Sequence, residues 1–78
     1  DHEKVAESYS FIGGAYCSEK KYSEALVQLK KAMDIQIRLG VPALLALSKT
    51  YNRIAAVYEC TNKTEEAAKY YRQTLEIQ

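Results

Sequence analysis

Displaced by 42 residues, the sequence lies on itself. Tyr9, Ile12, Tyr16, Lys21, Glu24, Ala25, Ile35 and Gln36 then fall on Tyr51, Ile54, Tyr58, Lys63, Glu66, Ala67, Ile77 and Gln78. Val5/Leu47, Gly13/Ala55, Lys30/Arg72, Met33/Leu75 and Asp34/Glu76 are close in kind. The matched positions are mostly aromatic, aliphatic or small, the residue types that set packing. A repeat of this length means one supersecondary unit stacked on a copy of itself, an architecture that makes binding surfaces more readily than catalytic pockets.

The periodicity within each copy is helical. Val5, Ala6, Tyr9, Ile12, Gly13 and Tyr16 mark one apolar face over residues 3–18, and Tyr22, Ala25, Leu26, Leu29, Ala32, Met33 and Ile37 mark another over 22–39. Gly40 and Pro42 interrupt the chain there. Leu44, Leu47, Tyr51, Ile54, Ala55 and Tyr58 renew the pattern over 43–60, and Ala67, Ala68, Tyr71 and Leu75 carry it to the end. Between the last two segments, Thr61-Asn62-Lys63-Thr64 is a turn cluster in which Asn62 or Thr64 is placed to cap the final helix. No strand-like alternation is present. The expectation is an all-α chain of four antiparallel helices in two hairpins. Tyr9, Ile12, Tyr16, Ala25, Leu29, Tyr51, Ile54, Tyr58 and Ala67 should be buried. Gly13, Ala55, Ala25 and Ala67 are the small residues that let paired helices approach closely.

Seventy-eight residues allow one domain with a marginal core. Six basic and six acidic groups in residues 1–40, and five and four in 41–78, leave a formal net charge of +1. No electrostatic footprint for nucleic acid or an anionic membrane is present, and no apolar run of ~18 residues suggests a membrane span. Two cysteines, Cys17 and Cys60, are too few for a disulfide framework. They are expected as buried or half-buried thiols of a cytoplasmic protein.

Catalytic constellations are missing. His2 is the only histidine, which excludes triads and histidine-rich metal sites. Glu65-Glu66 suits the first turn of a helix, where carboxylates favour the dipole. Gly13-Gly14 lies in a helical stretch and lacks the strand and lysine–hydroxyl pair of a phosphate loop. The seven tyrosines fall mostly at core-periodic positions. Asn62-Lys63-Thr64 fits a glycosylation acceptor but reads first as a turn. No enzyme activity, cofactor or metal is expected.

The spacings resemble the tetratricopeptide repeat, whose pattern is an aromatic, two residues, Leu-Gly, two residues, Tyr, then Ala, three residues, Phe. Here the first copy has Tyr9-x2-Ile12-Gly13-x2-Tyr16 and Ala25-x3-Leu29, the second Tyr51-x2-Ile54-Ala55-x2-Tyr58 and Ala67-x3-Tyr71. The 42-residue period exceeds the usual one of about 34. In that respect, and in Val5-Ala6-Glu7-Ser8-Tyr9, the chain looks like the kinesin-light-chain type of this repeat. Thr64 stands where the first copy has Tyr22, and Thr74 where it has Ala32; both departures bear on packing of the second unit.

The resemblance implies a single domain over residues 1–78, with repeat one at 1–42 and repeat two at 43–78, stacked as a fragment of a right-handed α-solenoid. It also implies a concave groove lined by the first helix of each unit. The groove set would be Glu7, Ser10, Phe11, Gly14 and Cys17, then Lys49, Asn52, Arg53, Ala56 and Glu59. Lys49 and Arg53 are four apart and share a helix face with Asn52 beside them, resembling part of a carboxylate clamp. Ser10 and Gly14 do not supply the rest of it, and a solvated polar helix face is the plainer reading. The implied function is a protein-interaction module that binds a peptide or helix, an acidic one where the two cations engage it, as part of a longer array. The alternatives are a structural or self-association segment of a larger solenoid, pairing through an uncapped end, and a regulatory repeat region beside an enzyme or sensor domain.

Overall fold

The computed structural model describes residues 2–77. Four helices follow one another: α1, His2–Ser18; α2, Tyr22–Leu39; α3, Leu44–Cys60; and α4, Thr64–Ile77, with a short 3₁₀ turn at Val41–Ala43 between the hairpins. The expected bounds are met to within a residue. The helices pack in chain order: α1 on α2, α2 on α3, and α3 on α4, while α1 and α3 touch only lightly. Gln78, the partner of Gln36 in the repeat, lies outside the described residues.

Both hairpins turn in the same way. Lys20 and Asn62, 42 residues apart, each take the left-handed conformation at φ 63°. The next amide then reaches back to the last turn of the helix, Lys21 N–H to the Tyr16 carbonyl at 2.9 Å and Lys63 N–H to the Tyr58 carbonyl at 2.8 Å. This closes each first helix in the manner of a Schellman motif. Asparagine tolerates that conformation better than lysine does. Asn62 therefore ends α3 rather than capping α4, and α4 begins at Thr64. Between hairpins Gly40 takes φ 75°, a value that favours glycine, and its N–H bonds the Gln36 and Ile37 carbonyls.

The core runs through α2, α3 and α4. Ala25, Leu29, Ile54, Ala55, Val57, Tyr58 and Ala67 form its buried cluster, with Tyr16, Cys17, Leu26, Met33, Tyr70 and Tyr71 packed around it. Close approach at the first hairpin depends on Gly13: a Cβ there would lie 2.6 Å from Leu29 Cγ. Tyr58 stacks on Tyr70 with ring centroids 5.7 Å apart, and Lys30 Nζ stands 5.9 Å from the Tyr58 ring centroid. Thr74, at the Ala32-equivalent position, is buried and donates its hydroxyl to the Tyr70 carbonyl at 3.1 Å, so the second hairpin accommodates the departure.

Three expected core residues differ. Ile12 is 44% exposed, whereas its counterpart Ile54 is fully buried; Tyr9 and Tyr16 are half-buried. The reason is position in the stack. Ile54 lies on a helix with α2 on one side and α4 on the other, and α1 has only α2. A buried polar pair joins the two hairpins: the Thr50 hydroxyl is 2.7 Å from Gln36 Oε1 and 3.1 Å from the Ala46 carbonyl. No buried side-chain polar atom among the described residues lacks a partner.

Candidate functional site

The expected groove residues lie on α1 and α3, two helices that touch only lightly. Glu7, Ser10 and Phe11 from α1 meet Lys49 and Arg53 from α3 around a small cavity of about 90 Å³, with Gln36 and Ala46 completing its lining. Arg53 bridges the two helices: its Nη1 donates to the Ser10 carbonyl at 3.1 Å and to Ser10 Oγ at 3.0 Å. The crossing passes near Gly14, where a Cβ would make ordinary contact with Arg53 Nη1 at 3.7 Å. The guanidinium also acts on Cys17, whose thiol is pushed up from its ordinary range by burial and by nearby Cys60, with Arg53 opposing the rise. One side chain of α3 thus spans the Ser10–Gly14–Cys17 strip of α1.

Lys49 stands at a junction. It borders the small cavity and also a larger one of about 380 Å³ that it shares with Ser48, Asn52, Tyr71, Thr74 and Leu75. Lys49 and Asn52 are exposed. Lys49 makes no ion pair or hydrogen bond among the described residues. Phe11 is 68% exposed and offers an apolar surface beside the cations. Ala56 is exposed and borders neither cavity. Glu59 accepts a hydrogen bond from the Tyr71 hydroxyl, which holds that phenol above its ordinary range and ties α4 to α3.

The structure therefore brings together five of the expected groove residues and separates Asn52 into the adjoining cavity. Sequence reasoning missed Gln36, Ala46, Ser48, Tyr71, Thr74 and Leu75 as lining groups. Gln36 had a signal: it continues the buried stripe Ala25, Leu29, Ala32 at helical spacing. The thiols divide, Cys17 half-buried as expected and Cys60 exposed because it ends α3 at the turn; both are free. Among the described residues no group of His, Cys, Asp and Glu could hold a metal ion, and no helix is long and apolar enough to cross a membrane.

The tetratricopeptide repeat family model matches residues 2–78. No curated protein and no solved structure matches the chain.

Proposed function

The chain belongs to the tetratricopeptide repeat family, whose members are protein-interaction modules, and from that premise we propose that it binds an acidic peptide or helix across α1 and α3. The observation that carries the reading is the contrast between two neighbouring cations. Arg53 is held in place by Ser10 and has further N–H donors beyond the one it uses. Lys49, one turn earlier, has no ion pair or hydrogen bond among the described residues and borders both cavities. A fixed fork is pre-organised for an anionic group, and the neighbouring ammonium adds a second charge to hold it. Asn52 supplies an amide for the ligand's backbone, and Phe11 an apolar contact. Glu7, on the rim of the same cavity, disfavours a ligand whose negative charge extends toward α1.

Charged hydrogen bonds of this kind contribute about 1.5–3 kcal/mol each. The test is titration of labelled acidic peptides, with free or amidated C-termini, against the wild type and the Lys49→Ala/Arg53→Ala variant. Binding should weaken more than about tenfold in the variant, one decade being 1.4 kcal/mol, with helicity retained. A peptide that binds both proteins equally well would rule out these cations as its site.

A further inference from the structure

Two thiols stand in register across α1 and α3. Glu7 and Lys49 line one small cavity, and further along both helices Arg53 bonds Ser10. Contacts between α1 and α3 therefore advance together, as they do between helices that run in the same direction. Ser10 and Arg53 are 43 residues apart. Cys17 and Cys60 have the same separation, each lying seven residues beyond one member of that pair. Seven residues are about two helical turns, which returns each side chain to the same face of its helix.

Their surroundings agree with that register. Cys17 is half-buried and packs on the edge of the core, Cys60 is exposed, and both are free. Burial raises the Cys17 thiol first, and the nearness of Cys60 raises it further against the opposing pull of Arg53. Tyr22, the first residue of α2, joins the group. Its phenol is held above the ordinary range chiefly by a hydrogen bond with Cys60, then by burial and by the two thiols. Two thiols and a phenol thus gather where α1 ends, α2 begins and α3 ends. The peptide contact proposed above uses none of them.

We infer that Cys17 and Cys60 are a redox pair that closes to a disulfide between α1 and α3, with a small disulfide of the glutathione class as oxidant. Cys60, the exposed thiol, reacts first. Its thiolate attacks one sulfur of the oxidant, forming a mixed disulfide and expelling one thiolate. The Cys17 thiolate then attacks Cys60 Sγ, the Cys17–Cys60 bond forms, and the second thiolate leaves. The chain loses two protons and two electrons, and the oxidant is reduced to two thiols. Arg53 favours the Cys17 thiolate in the second step, while burial slows it. The bond ties together two helices whose direct contact is otherwise light, two turns from the Arg53–Ser10 bridge.

The test is equilibration of the dilute chain with reduced and oxidised glutathione, in buffer and in urea, followed by acid quenching and mass spectrometry. In buffer the chain should reach a monomeric form lighter by two hydrogens. Digestion should then recover the peptides that carry Cys17 and Cys60 joined to each other. The effective concentration of the pair, read from the same equilibrium, should be about tenfold or more higher in buffer than in urea, because folding sets the thiols side by side. Cys17→Ser should stop at the mixed disulfide on Cys60, having no second thiol to resolve it. A folded chain that ends with glutathione on both thiols, a bond formed only between molecules, or an effective concentration no higher in buffer than in urea would each overturn the inference.

Discussion

Gly13 on α1 lies against Leu29 on α2 so closely that a Cβ would stand 2.6 Å from Leu29 Cγ and 2.8 Å from Cδ2. Leu29 is fully buried and cannot swing away. A Cβ on the neighbouring Gly14 would meet only an ordinary contact, Arg53 Nη1 at 3.7 Å. Two adjacent helical glycines therefore answer the same substitution with opposite signs. Replacing a mid-helix glycine by alanine stabilises by about 0.5–1 kcal/mol, and overpacking a core contact costs about 1–3 kcal/mol. Gly13→Ala should lower stability by about 1 kcal/mol on balance, while Gly14→Ala should raise it. Urea unfolding of the two variants measures both; a stabilised Gly13→Ala would mean that the hairpin contact is looser than its geometry.

The Thr50–Gln36 pair is the polar element of the inter-hairpin joint. Thr50 is fully buried and Gln36 is 4% exposed. A single hydroxyl proton serves one acceptor. Thr50 donates to Gln36 Oε1 at 2.7 Å, with the Ala46 carbonyl at 3.1 Å as the competing acceptor. Thr50→Val keeps the shape and leaves the amide without its partner, which should cost about 1–3 kcal/mol. Adding Gln36→Met removes the stranded amide and should recover most of that loss. A double-mutant cycle by chemical denaturation reads the coupling directly; simple additivity of the two substitutions would show that the pair contributes nothing jointly.

These two cases mark how far the sequence is legible. Gly13 could be read as a close-approach residue because it sits among apolar letters at helical spacing and has Ala55 as its repeat partner. The hairpin turn at Asn62 was visible as a turn, though its role in ending α3 rests on a backbone angle that composition does not specify. Ile12 was read as core because periodicity marks an apolar face without saying whether a neighbouring helix covers it. Gln36 has the helical spacing of the buried stripe, but its polar letter reads as a boundary until its partner, fourteen residues on, is brought beside it. Of the candidate site, the residues on α1 and α3 were legible from the family's pattern. The Arg53–Ser10 bridge was not, since it spans 43 residues of sequence and depends on the spacing of two helices that barely touch.

The buried tyrosines set how the fold responds to alkali. Burial raises Tyr51 and Tyr70 above the ordinary value of 10.0, with nearby Tyr58 adding to the rise at Tyr70. Cys17 is raised from 9.0, chiefly by burial, and Lys30 from 10.5, chiefly by its hydrogen bond with Tyr58. In each case the folded chain holds its proton more tightly than the unfolded chain does. Stability is therefore fully present below the unfolded values and is lost as pH rises through them toward the folded ones. Urea midpoints should be flat with respect to these groups near neutrality and fall steadily above about pH 9–10. Tyr51→Phe and Tyr70→Phe should each make the decline shallower, because a ring without a hydroxyl has no proton to lose. The Tyr70 substitution keeps the ring stacked on Tyr58, so its effect at neutral pH should be small by comparison. A midpoint that holds level to about pH 11 in the wild type would show that these phenols titrate alike in both states.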